Sequence, residues 1–116
     1  MAAFQTSTEG KINILCVSGR LDPHGGKDFK DTITALTEAE GTDLLVDLEH
    51  LDYMASAGFR ELFLAGRKIG RSGGRLVVCS LRGEVKRVFE LARFDTAYPI
   101  YESRQEALDF LNSPAS

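Results

Sequence analysis

The stretch Leu45-Val-Asp-Leu-Glu-His-Leu-Asp-Tyr-Met-Ala-Ser-Ala-Gly58 decides how this chain is read. Its first residues belong to a short buried strand, Leu44 to Leu48, with a polar break at Asp47. His50 to Met54 then reads as a connection, and Ser56 opens a helix that runs to about Arg71. Phe59, Leu62, Phe63, Gly66 and Ile69 follow the i, i+3, i+4, i+7 rule and predict the buried face of that helix. Gly73-Gly74 closes it, as glycine past a helix C-terminus does.

The same alternation extends in both directions. Upstream, Gln5 to Glu9 and Ile12 to Gly19 predict two strands joined at Glu9-Gly10-Lys11, an antiparallel hairpin. Asp22-Pro-His-Gly-Gly26 is a loop by composition. Lys27 to Glu40 has helical spacing, with Phe29, Ile33, Ala35 and Leu36 on the inner face. Downstream, Arg75 to Leu81 predicts another buried strand. Glu84 to Ala92 predicts a helix burying Val85, Val88, Phe89 and Ala92. Pro99 to Glu102 predicts a last short strand. Ser103 caps a final helix, with Glu106 three residues on as a capping box, and Ala107, Phe110 and Leu111 face inward. Strands alternating with helices imply parallel pairing through crossovers. The expected fold is α/β: a mixed sheet of about five strands packed with about four helices.

With 116 residues, the chain fits a single domain, its core spanning about 4–111 and residues 112–116 forming a flexible tail. Hydrophobic residues make up 43%, enough for a packed core. The net charge is −3 and no basic block occurs, which argues against nucleic acid as a partner. No apolar run approaches the roughly 20 residues that span a bilayer, so no membrane insertion is expected. The N-terminus lacks the pattern of a signal peptide, and the expected location is the cytoplasm. Cys16 and Cys79 each lie in an apolar run and are expected to be reduced core thiols. His24, His50, Asp22 and Asp52 match no metal-ligand spacing, and neither a metal nor a cofactor is expected.

Ser56 admits three readings. Serine is a preferred N-cap. Met54-Ala-Ser-Ala-Gly58 also matches the second half of a nucleophile elbow, although Met54 stands where the first glycine belongs, and only His24 or His50 could serve as base. In the third reading it is a phosphoacceptor, since a helix N-terminus tolerates a phosphate and a partner kinase supplies the catalysis. Ser56, Arg60, Leu64, Arg67 and Arg71 are spaced 4, 4, 3 and 4, forming one stripe opposite the core face. An apolar residue among arginines suits a partner surface. Asp22 follows a strand, and functional groups gather beyond the carboxyl ends of strands in such sheets. If the preceding strands are parallel, Asp22 and Ser56 share one edge.

Four segments resemble the STAS domain, in particular the stand-alone bacterial anti-sigma factor antagonists. They are Val17-Ser-Gly-Arg-Leu-Asp22, the Leu45–Gly58 stretch, Gly73-Gly-Arg-Leu-Val-Val-Cys79, and Val85 to Ala92 with Phe94-Asp95. The resemblance implies a protein–protein switch and no enzymatic activity. In such a switch the unphosphorylated antagonist binds an anti-sigma factor that is also a serine kinase of the histidine-kinase-like ATPase fold, freeing the sigma factor. Phosphorylation of a serine at the position of Ser56 breaks the complex, and a serine phosphatase restores it. The family's strand-end aspartate matches Asp22, and the implied partner face comprises Asp22, Ser56, Ala57, Gly58, Arg60, Leu64 and Arg67. The family pattern Asp-Ser-Ser/Thr-Gly-Leu is here Ala55-Ser-Ala-Gly-Phe59, so Ser56 carries the one hydroxyl of the motif. STAS domains also serve as non-switching scaffolds and lipid-transport subunits, the competing expectation, with a small serine hydrolase the remote one.

Overall fold

The structure is a computed structural model that describes residues 1–113. Element order is β1 (Ala2–Glu9), β2 (Ile12–Leu21), a 3-10 turn at Pro23–Gly25, α1 (Gly26–Leu36), β3 (Asp43–Asp47), β4 (Leu51–Met54) and α2 (Ser56–Arg71). There follow β5 (Leu76–Cys79), α3 (Gly83–Leu91), a 3-10 turn at Phe94–Thr96, β6 (Ile100–Tyr101) and α4 (Arg104–Asn112).

The sheet runs β1-β2-β3-β5-β6, with β4 also paired to β2. The β1/β2 pair is antiparallel, as expected, and every other pairing is parallel. Gly10, at φ +61°, takes the first central position of the two-residue hairpin turn, where a positive φ matches the strand twist. β3 is buried at all five residues, which explains why it reads as an apolar run, Leu44 to Val46, with one acid at each end, Asp43 and Asp47.

Alternation along the strands divides the interior in two. Leu15, Val17, Leu44, Val46, Leu76 and Val78 face one side, with Phe29 and Ile33 of α1, Leu62 and Ile69 of α2, and Val85 and Phe89 of α3. Ile12, Ile14, Leu45, Val77 and Cys79 face the other, covered by Ala107, Leu108 and Leu111 of α4. The Ser103 hydroxyl accepts from the Glu106 N–H at 3.2 Å, so the predicted cap of α4 is present.

Several expectations need correction. The connection His50–Met54 contains a sixth strand, β4. It pairs with the end of β2 beyond the last residue of β3, in a register that shifts between Gly19 and Arg20, so its burial does not alternate. Ala35, Val88 and Ala92 are exposed, because α1 and α3 each bury a narrower stripe than periodicity suggested. Asn112 ends α4 and does not begin a tail; residues 114–116 of the expected tail lie outside the described residues. Cys79 is fully buried, whereas Cys16 is half-buried, with Sγ 2.7 Å from Nη2 of Arg104. Residue 16 lies in β2 opposite Asp47 of β3, and the same Arg104 side chain meets the buried Asp47 carboxylate at 2.9 Å. A charged pair therefore stands where an apolar cover was expected.

Burial pushes the Cys79 thiol from 9.0 up to about 12. The folded state thus holds a proton that the unfolded state loses near pH 9, and Cys79 should reduce stability as pH rises from there toward 12. In native protein at neutral pH, Ellman's reagent should modify Cys16 well before Cys79, and Cys79 only as fast as the chain unfolds. Rapid native labelling of both thiols would contradict this burial.

Candidate functional site

The end of β2 and the start of α2 are joined by the backbone. Leu21 is the last residue of β2, and its carbonyl accepts the Ala55 N–H at 2.8 Å. Asp22 follows β2 and Ser56 follows Ala55 at the end of β4, so both stand at the same sheet edge, as the parallel register required. Asp22 caps the 3-10 turn, its Oδ1 accepting from the Gly25 N–H at 3.0 Å. That turn delivers Gly26 against Ala57, where a Cβ built on Gly26 would lie 3.5 Å from the Ala57 Cβ.

Ser56 is not the N-cap of α2. Ala55 takes that position in extended conformation (φ −71°, ψ 159°) and offers no side-chain acceptor. The carbonyl of Ala55 accepts from Gly58 N–H at 3.0 Å and Phe59 N–H at 3.2 Å. Ser56 is therefore the first helical residue, with its side chain exposed. Its own N–H and that of Ala57 belong to the first-turn donors that no helical carbonyl can reach. Among the described residues, no hydrogen bond joins Ser56 to His24 or His50. His50 lies instead 3.7 Å from Glu49. No cluster of three or more His, Cys, Asp or Glu residues suited to a metal occurs among the described residues.

The predicted stripe is exposed throughout: Ser56, Arg60, Leu64, Arg67 and Arg71 all face solvent. Leu64 is 45% exposed and lines a shallow groove between α1 and α2 with Ile33, Thr34, Glu61 and Lys68. Arg67 lies on the side of Tyr98, whose hydroxyl donates to the Phe63 carbonyl at 3.0 Å. Gly58 departs from the expected partner face, because it is buried. A Cβ there would sit 2.6 Å from Cδ2 of Leu21 and 3.3 Å from Cγ of Met54. Its place in the site is to let the first turn of α2 rest on the end of β2. Behind that turn, Phe59 meets Phe89 at 4.8 Å and Phe94 at 5.6 Å, centroid to centroid, both edge-on, which fixes the helix against α3 and the 3-10 turn that follows it.

One pair beside the site was not anticipated. Arg20 of β2 lies over the ring of Tyr53 in β4, 4.5 Å from its centroid, and both side chains are exposed. They are cross-strand partners in the β2/β4 ladder. Reading 50–54 as a connection concealed them, and the only signal was Tyr53 next to an apolar Leu51 and Met54.

The fold is shared with known proteins. The model of the STAS domain matches residues 3–107. The chain belongs to the STAS domain family. BtrV of Bordetella bronchiseptica, a candidate anti-sigma factor antagonist, is 30% identical to this STAS domain over 94 residues, 81% of each chain. A candidate anti-sigma factor antagonist of Thermotoga maritima superposes with a TM-score of 0.87 at 21% identity, covering 95% of each chain. The anti-sigma factor antagonist SpoIIAA has been solved unphosphorylated and, from Bacillus, phosphorylated. Each form gives a TM-score of 0.75, at 20% and 19% identity, covering 97% and 95% of this chain and 100% of theirs. At these identities the structures establish the fold. No helix among the described residues is long and apolar enough to cross a membrane.

Gly58→Ala tests the seating of α2. Alanine is favoured over glycine inside a helix by up to about 1 kcal/mol, whereas overpacking a core costs about 1–3 kcal/mol. A net loss of about 1 kcal/mol is expected, read from the urea midpoint, with faster amide exchange over Ser56–Phe59. An unchanged or raised midpoint would show that Leu21 yields freely.

Proposed function

We propose that this STAS domain is an anti-sigma factor antagonist whose binding is switched off by phosphorylation of Ser56. The observation that carries the reading is an exposed serine at the first position of α2, free of any capping duty, beside the Asp22 turn and at the head of an exposed Arg/Leu stripe. A capping serine would have its oxygen committed to the helix; here Ala55 holds the cap position and the Ser56 hydroxyl faces outward. The likeness to BtrV and to the Paenibacillus polymyxa anti-sigma F factor antagonist, 25% identical over 84% of each chain, supports the antagonist part of this reading.

The docking face in this proposal comprises Asp22, Ser56 and Ala57 with Arg60, Leu64 and Arg67, and Gly58 sets its geometry from beneath. The partner is an anti-sigma factor with serine kinase activity and the histidine-kinase-like ATPase fold, and a serine phosphatase resets the switch. The protein acts in the cytoplasm and itself catalyses nothing. A phosphate on Ser56 adds about −1.5 to −2 charges at neutral pH. The first-turn N–H groups and Arg60, one helical turn away, accommodate that charge in the free protein. At a closed interface the same phosphate must be desolvated against the partner. A cost of about 3 kcal/mol there weakens binding about a hundredfold. The switch thus acts on the complex and leaves the fold intact.

The test is calorimetric titration against the host's anti-sigma kinases of this fold. Ser56→Ala should bind at least as tightly as wild type and take up no phosphate from the kinase. Protein phosphorylated at Ser56 should bind about a hundredfold more weakly while keeping its thermal midpoint. Equal affinity of both forms would sink the switch and favour a non-switching scaffold, in which Ala55 and Ala57 mark the loss of the kinase's target motif.

A further inference from the structure

β1 is an edge strand. Its inner side pairs with β2 over all eight residues, and nothing among the described residues pairs with its outer side. Which backbone groups point outward follows from the bonds of β2. The Lys11 carbonyl accepts from Asp43 N–H, the Gly19 N–H donates to the His50 carbonyl, and the Leu21 carbonyl accepts from Ala55 N–H. The odd-numbered residues at and beside β2 therefore turn their polar groups toward β3 and β4, and the even-numbered ones toward β1. Ile12, Ile14, Cys16 and Ser18 stand opposite Glu9, Ser7, Gln5 and Ala3. Those four β1 residues spend their N–H and C=O groups on β2. The groups of Ala2, Phe4, Thr6 and Thr8 face outward along the free edge.

Such an edge templates pairing unless it is guarded, and natural guards are Lys, Pro, a bulge or shortness. Ala2–Glu9 has none of them: it is eight residues long, in unbroken register with β2, without proline or lysine. Its free edge is also self-complementary. An antiparallel copy related by a two-fold axis through Gln5 sets Phe4 opposite Thr6 and Ala2 opposite Thr8. These are the outward-facing residues, so each becomes a hydrogen-bonded pair, giving about eight bonds at two per pair. Gln5 then faces its own copy, and Ala3 faces Ser7, in non-hydrogen-bonded pairs. The one charged residue of the strand, Glu9, lies roughly 27 Å from its copy at about 3.4 Å per residue, so like charges do not meet. Any other register of the same parity leaves more of the outward groups unpaired.

We propose that two copies of this chain associate through β1, antiparallel and in register about Gln5, making one continuous sheet with an isologous interface. None of the β1 residues that pair in this interface belongs to the proposed docking face.

Disulfide trapping tests the register directly. Gln5 stands opposite Cys16 within the chain, so Gln5→Cys is made in a Cys16→Ser background to prevent an internal bridge. Residues facing each other in a non-hydrogen-bonded pair approach to about 4.5 Å between Cα atoms, within disulfide range. Gln5→Cys should oxidise to a covalent dimer in air. Ser7→Cys in the same background should not, its copies being about 14 Å apart at about 3.4 Å per residue. Sedimentation equilibrium of the wild type should show the mass rising from 12.7 kDa toward twice that value over roughly 1 µM to 1 mM, the range expected of a small interface. Thr6→Pro removes an outward donor that β2 does not use, so it should fold, by circular dichroism, and remain monomeric. A wild type monomeric throughout that range overturns the proposal. So does a dimer that traps through Ser7→Cys in preference to Gln5→Cys.

Discussion

The arrangement at the site depends on one hydrogen bond, from the Ala55 N–H to the Leu21 carbonyl at 2.8 Å. It extends the β2/β4 ladder by one residue, past the point where both strands end. Two chain segments then leave the sheet side by side, one into the Asp22 turn and one into α2. Because strand pairing is parallel, they leave at the same edge. An antiparallel β2/β4 pair would have sent Asp22 and Ser56 to opposite ends of the molecule.

That bond positions the helix start but cannot by itself set its angle. Two further contacts do so. Gly58 lets the first turn rest on Leu21 and Met54 without a Cβ between them. Phe59 and Phe63 then lock into Phe89, Phe94 and Tyr98 on the other side. Edge-on aromatic contacts are directional, so this cluster constrains rotation of the helix as well as its distance. The stripe from Ser56 to Arg71 faces solvent because the opposite face of α2, with Leu62, Ala65, Gly66 and Ile69, is the buried one. Its exposure follows from packing and does not require any polarity of its own, which is why Leu64 can sit in it.

The two faces of the sheet are unequal in a way that bears on function. α1, α2 and α3 contribute to one core, whereas α4 alone covers the other. At the first residue of α4 the second face becomes polar, with Asp47 paired to Arg104 and the Cys16 thiol beside it. Asp47 interrupts an apolar strand in the sequence because that residue lies at the limit of cover, where a carboxylate is tolerable only with a cation at hand.

Much of this was legible in the sequence, and the reasons are local. The α2 core face follows from helical period; Phe59, Leu62, Phe63, Gly66 and Ile69 all turn inward or pack against the core. The Glu9–Lys11 turn and the Ser103 cap follow from short-range backbone chemistry. The docking stripe was legible as the complement of the core face. Other features depend on partners distant in the chain. β4 exists as a strand because β2 outruns β3, a length difference that no residue within 50–54 records. Val88 and Ala92 satisfy the helical period yet remain exposed, since α3 packs at the periphery and needs only Val85 and Phe89. Ser56 reads as a cap by residue type, but the cap falls on Ala55, because the ladder bond to Leu21 fixes where the extended backbone ends and the helix begins. The sequence alone determined which residues are apolar and at what period, and so the elements and their inner faces. Only the tertiary structure decided which of those faces found cover and which hydroxyl was left free, because both depend on strand lengths and pairings between segments far apart in the chain.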